Sequence, residues 1–68
     1  MSSIEVQING EARRINRISI TELLNELELG GKPVAVELNR AIVSRSSYDS
    51  TQLAQGDELE IIHFVGGG

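Results

Sequence analysis

A chain of 68 residues, 40% of them apolar, holds one small domain, since a polypeptide of this size removes only about 60% of its unfolded surface from water. So small a core leaves little room for a substrate cavity of about 300 Å³ or more, which argues against a self-contained enzyme. The absence of cysteine and the single histidine exclude disulfides, iron–sulfur ligation, thiolate zinc sites and a cysteine nucleophile, while the formal charge of −4 argues against nucleic acid and anionic membranes as partners.

Ile, Leu, Val and Phe are well above the roughly 20% below which disorder is expected, so the chain folds. No stretch approaches the ~20 apolar residues of a membrane span, and the opening MSSIEVQING lacks the apolar run of a signal peptide. A cytoplasmic protein that works by being bound by something larger is the expectation.

Ile4, Val6 and Ile8 alternate with Glu5 and Gln7, the period of a half-buried strand. Asn9-Gly10 then signals a tight hairpin, because both residues tolerate positive φ. The return strand, Glu11 to about Arg17, has Ala12 and Ile15 as its apolar members; Arg13, Arg14 and Arg17 mark it as a guarded edge. A helix follows. Ser19 and Glu22 are spaced as a capping box, Ile18 and Leu23 as a hydrophobic staple, and Ile20, Leu23, Leu24 and Leu27 form one apolar stripe. Gly30-Gly31 is expected to stop the helix in the left-handed conformation, with Pro33 preventing its resumption. Glu26 and Glu28 oppose the helix dipole, so packing must hold this helix.

Val34, Val36 and Leu38 alternate with Ala35, Glu37 and Asn39 as a third strand, a turn at Asn39-Arg40 leads to a fourth at Ala41–Ser44, and Arg45 to Thr51 is irregular, with Tyr48 as its anchor. Gly56-Asp57 turns into a last strand, Glu58 to about Val65. Glu58 and Glu60 share one face and Leu59 and Ile61 the other, a pattern that Ile62 breaks. The fold class is therefore α+β: a mixed sheet of four to five strands with one main helix packed on one face. Hairpin, helix, hairpin and strand, in that order, place the last strand beside the first in the middle of the sheet, which is the β-grasp arrangement.

The chain ends Phe64-Val65-Gly66-Gly67-Gly68. Glycine is costly to order and adds no packing, so residues 66–68 are expected to form a flexible tail on a 1–65 domain. Such a tail is thin enough to enter a narrow channel, ends in a free α-carboxylate, and lets Val65–Gly68 reach about 13 Å past the last strand. A body gripped by a partner, with a slender arm bearing a carboxylate, suits a covalent carrier.

The Asn9-Gly10 hairpin, the strand from Val34 to Asn39, the run Gly56-Asp57-Glu58-Leu59-Glu60-Ile61, and above all His63-Phe64-Val65-Gly66-Gly67-Gly68 resemble the ThiS family of sulfur carriers, within the ubiquitin-like β-grasp superfamily. The resemblance covers essentially the whole chain; the third glycine is one more than a plain diglycine ending. It implies a non-catalytic protein whose Gly68 carboxylate is adenylated by an E1-like enzyme (ThiF-like) using ATP and Mg. A sulfur donor such as a cysteine desulfurase then supplies sulfur, and the resulting terminal thiocarboxylate serves a thiazole synthase (ThiG-like) in thiamine biosynthesis. Gly66 and Gly67 would thread into these partners, and no cofactor or metal would be bound by the chain itself.

Ile62, Phe64 and Val65, with Glu58 and Glu60, are candidate docking residues, since exposed apolar groups beside a functional end often mark partner sites. The residues alone leave open which face Ile62 and Phe64 take, and an ordinary solvated face would account for Glu58 and Glu60. A frayed end or a cut linker would account for the glycines. His63 has no ligand or catalytic companion in sequence and reads as a plain strand residue. Three rivals share the same residues: a molybdopterin sulfur carrier (MoaD-like), a ubiquitin-like modifier of lysines, and a plain β-grasp interaction domain.

Overall fold

Residues 3–16 and 18–64 are described by the computed structural model; Arg17 and Val65–Gly68 lie outside the described residues. Strands β1 (Ser3–Ile8) and β2 (Glu11–Asn16) pair antiparallel with Ile8 opposite Glu11. The two residues between them take φ of 53° at Asn9 and 85° at Gly10, positive at both positions as a type I′ hairpin turn requires. Strands β3 (Val34–Leu38) and β4 (Ala41–Val43) close in the same way, with φ of 51° at Asn39 and 72° at Arg40. The fourth strand stops one residue short of the expected Ser44, which instead begins a turn of 3-10 helix over Arg45–Ser47.

Strand β5 (Glu58–His63) lies between the two hairpins, parallel to β1 and antiparallel to β3, giving the order β2-β1-β5-β3-β4. This is the β-grasp sheet, with β2 at one edge as its arginines foretold. Ile15 is the buried residue of β2, whereas Ala12, expected beside it as an apolar member, is exposed. Ala12 pairs with Gln7 on the face away from the core.

Helix α1 (Ile20–Glu26) has seven residues, too few to persist alone in water. Its first-turn N–H groups are all given acceptors. Ile20 donates to the Thr51 carbonyl (3.1 Å) and Thr21 to that of Tyr48 (3.3 Å). Glu22 donates to Ser19 Oγ (3.2 Å), and Glu22 Oε1 accepts from the Ser19 N–H (3.0 Å), completing the expected capping box. The 48–53 segment is thus a dock for the helix start, sealed by Leu53, whose N–H donates to the Ile18 carbonyl.

The helix ends earlier than Gly30-Gly31 suggested. Leu27 is the C-cap and Glu28 takes the left-handed position with φ of 63°. The Glu28 N–H donates to Asn25 and the Leu29 N–H to Leu24 (2.7 Å), the paired bonds of a Schellman ending. This early stop turns Leu29 back toward the core that holds Leu24, a gain that outweighs glycine's conformational advantage two residues later. A non-glycine side chain in that conformation costs roughly 1–2 kcal/mol. Glu28→Gly is therefore expected to raise stability by about 0.5–1 kcal/mol after the added flexibility of the unfolded chain is subtracted, read as a higher urea midpoint at constant slope.

The core joins Ile4 and Val6 of β1, Ile15, the helix residues Ile20, Leu23 and Leu24, Val34 and Val36 of β3, Leu59 and Ile61 of β5, and the loop residues Tyr48 and Leu53. Leu27 and Ile18, both expected to pack, are half-buried against it. The helix and the 48–53 segment cover one face of the sheet. The other face, bare of helix, is where the docking candidates fall.

Candidate functional site: the terminal strand and its outer face

In antiparallel pairs, residues opposite one another share a face. With Leu59 and Ile61 buried in the core, Glu58, Glu60 and Ile62 must point to the outer face. The alternation that Ile62 seemed to break in sequence continues: the pleat is regular, and it sets an isoleucine on the solvent side. Ile62 is 52% exposed, which places it on the outer face; Phe64, past the strand, is 53% exposed. The register brings Ala35 beside Ile62 and Glu37 beside Glu60, and sets Ile42, 80% exposed, opposite Glu37. Gln7 stands beside Glu58 on the β1 side.

The outer face therefore carries an apolar group (Ile62, Ala35, Ile42) adjoining an acidic row (Glu37, Glu58, Glu60), with Phe64 exposed just past the strand. Glu37 and Glu60 are directly opposed like charges, an arrangement that destabilises a sheet on its own. Sequence reasoning named Ile62, Phe64, Glu58 and Glu60 but not Ala35, Glu37 or Ile42. Alternation along β3 already put Ala35 and Glu37 on one side; what was missing was the pairing that sets them beside β5.

The central strand is fastened from both sides by hairpin asparagines. Where β1 turns away, Asn9 takes over its ladder: its N–H donates to the Leu59 carbonyl (2.9 Å), its Nδ2 donates to the Ile61 carbonyl (3.1 Å), and its Oδ1 accepts from the Ile61 N–H (2.8 Å). On the other side the Asn39 N–H donates to the Glu58 carbonyl (2.7 Å), Asn39 Oδ1 accepts from the Glu58 N–H (3.0 Å), and Asn39 Nδ2 donates to Asp57 Oδ1 (3.0 Å). Both residues read in sequence only as turn formers. Asn9→Gly keeps the positive φ while deleting the carboxamide, leaving two strand groups of Ile61 without their partner. The expected loss is roughly 1–2 kcal/mol, measured by urea unfolding; a loss no larger than a few tenths would assign Asn9 to the turn alone.

Beyond His63 one more backbone bond fixes the chain: the Phe64 N–H donates to the Pro33 carbonyl at 3.0 Å. The strand thus ends at His63 rather than near Val65, and Phe64 is tied to the start of β3. The remaining candidates, Val65, Gly66, Gly67 and Gly68, lie outside the described residues. Among the described residues no three His, Asp or Glu side chains come together as a metal site, and no helix is long and apolar enough to cross a membrane.

A mixed five-stranded sheet around a central β5, with one helix on one face, defines a ubiquitin-like β-grasp protein. The crystal structure of the thiamine biosynthesis protein ThiS from Geobacter metallireducens superposes with a TM-score of 0.81 at 32% identity, over 96% of this chain and all of that one. The ThiS family model matches residues 6–68. The sulfur carrier protein ThiS of Bacillus subtilis is 37% identical over 65 residues, spanning 93% of this chain and 98% of that protein. The chain belongs to the ThiS family and is a sulfur carrier of thiamine biosynthesis, not a catalyst. It is also 42% identical over 66 residues to a thiazole synthase of Paramagnetospirillum magneticum, of which it spans 20% of the length.

Proposed function

We propose that Gly68 carries the sulfur, on its terminal carboxylate, with Gly66 and Gly67 as the thread that passes into each partner's active site. The tether at Phe64 carries this reading: the body holds the chain at the rim of the sheet through Phe64, beside the exposed Ile62, and the glycines come one residue later in sequence, after Val65. Support for the terminus itself comes from the family match, which runs through residue 68.

The carboxylate is a poor electrophile because it is anionic. Its oxygen attacks the α-phosphorus of ATP on an E1-like (ThiF-like) enzyme, with Mg as that enzyme's cofactor, and pyrophosphate leaves. The outer sulfur of a persulfide formed from cysteine on a desulfurase then attacks the acyl carbon, and AMP departs with the oxygen. A second thiol cleaves the resulting acyl disulfide, leaving as the disulfide and supplying the two electrons. The product is a thiocarboxylate, an anionic sulfur held on a protein so that free sulfide need not be released. Absence of cysteine from the chain leaves no internal thiol to capture the activated acyl group.

The acceptor enzyme we assign is a thiazole synthase (ThiG-like). The thiazole synthases that contain a segment similar to this chain support that pairing over a molybdopterin acceptor. Docking uses the outer face: Ile62, Phe64 and Val65 as apolar contact and Glu58 and Glu60, joined by Glu37, as the acidic border. A basic partner surface would relieve the Glu37–Glu60 repulsion, and such charge pairing steers encounter more than it adds affinity.

The decisive assay is intact-mass spectrometry of the chain after incubation with ATP–Mg, an E1-like enzyme and a sulfur donor. One terminal oxygen is expected to be replaced by sulfur. No exchange under conditions that convert an established carrier, or attachment to target lysines instead, would overturn the assignment.

A further inference from the structure

A second surface feature lies on the opposite, helix-bearing side. A pocket of about 170 Å³ opens between the end of α1, the Leu29–Lys32 loop, the start of β3 and the 3-10 turn. Its floor is apolar and buried: Leu24, Val34 and Tyr48. Lys32 and Arg45, both exposed, stand on its rim, and no carboxylate lines it. In a chain with ten acidic and six basic residues, two cations at one small apolar hollow form a local reversal of sign. Asp49, which follows Tyr48 in the chain, accepts a hydrogen bond from the Thr21 hydroxyl.

The volume is well below the roughly 300 Å³ of ordinary small-molecule sites, so the pocket fits one apolar side chain and not a nucleotide. It also lies at the end of the sheet from which the tail departs: Val34 pairs with His63, and the neighbouring Pro33 holds Phe64. We infer that this pocket docks an acidic segment of a partner protein, seating one leucine- or phenylalanine-sized side chain on Leu24, Val34 and Tyr48 while flanking carboxylates meet Lys32 and Arg45. That the segment belongs to an enzyme handling the tail rests on the proposed carrier function; occupancy of the pocket does not.

Opposite signs on the two sides make the contact directional. The row of Glu37, Glu58 and Glu60 calls for a basic surface and this pocket for an acidic one, so a partner engaging both holds the body in one orientation.

The test is amide-shift mapping of the isotopically labelled full-length chain, titrated with a blocked pentapeptide of Glu and Leu, and separately with its Lys and Leu counterpart. The acidic peptide is expected to shift Gly30, Gly31, Lys32, Val34 and Tyr48, and the basic peptide to leave them unmoved. Lys32→Glu combined with Arg45→Glu is expected to weaken the acidic peptide about tenfold or more, with β1 and β2 resonances unchanged as proof of folding. Equal response to both peptides, shifts confined to the outer face, or the same shifts produced by inorganic phosphate alone would each overturn the inference. Conversion of Gly68 is read by mass in a separate assay, so its failure is distinguishable from failure here.

Discussion

A chain lacking Gly67 and Gly68 is expected to fold like the full-length protein yet form its thiocarboxylate at least about a thousandfold more slowly. The body is insensitive because the core and the strand ladder, including the Phe64 N–H bond to the Pro33 carbonyl, lie upstream of the deletion. The chemistry is sensitive because two extended residues span about 7 Å, and misplacing a reacting group by even 1 Å can cost about a hundredfold. A partner that grips the folded body holds it at a set distance from its own catalytic groups, so the new terminus at Gly66 falls short. Two measurements check this together: the rate of sulfur incorporation by intact mass, and the urea midpoint, which should not move. A residue appended after Gly68 should be equally damaging, since it converts the reacting carboxylate to an amide. Undiminished incorporation in either variant would remove the terminus from the mechanism.

The largest effect on folding is expected at Leu53. It is fully buried yet belongs to no helix or strand, and it closes the segment that supplies acceptors to the first N–H groups of α1. Leu53→Ala should destabilise by about 3–4 kcal/mol through lost apolar burial and a residual cavity. Domains this small have a total stability of only about 3–10 kcal/mol, so the variant should be partly unfolded at ambient temperature. The helix signal in circular dichroism should fall with the same urea midpoint as Tyr48 fluorescence, because the helix depends on that segment. A loss below about 1 kcal/mol would show that the dock is not what holds α1.

Much of this was legible in the residues. Asn9-Gly10, the Ser19–Glu22 box and the alternation of β1, β3 and β5 are local signals, and each reports a backbone conformation that neighbouring residues dictate. What escaped was set by distant partners. The helix stops at Glu28 because Leu29 is drawn back toward the core with Leu24, a tertiary gain that no capping propensity encodes. Leu53 escaped the sequence reading altogether, since nothing near it in the chain announces that its N–H holds the Ile18 carbonyl beside the helix start. The acidic and apolar outer face was half visible: β5 showed Glu58, Glu60 and Ile62, but Glu37 and Ala35 join them only once the pairing with β3 is known. The side-chain roles of Asn9 and Asn39 were hidden for the same reason, since their partners on β5 lie 52 and 19 residues away along the chain.

The central strand of the sheet is also the last element in chain order. During synthesis, β1 must wait unpaired on its inner edge until β5 leaves the ribosome, and the two asparagine clamps have nothing to hold before then. Closure of so distant a contact is a late and slow step. A prematurely terminated product therefore lacks the keystone of its sheet and, on the function proposed above, the end to be loaded. Under the proposed carrier chemistry, completion of the sheet and availability of the terminus come together.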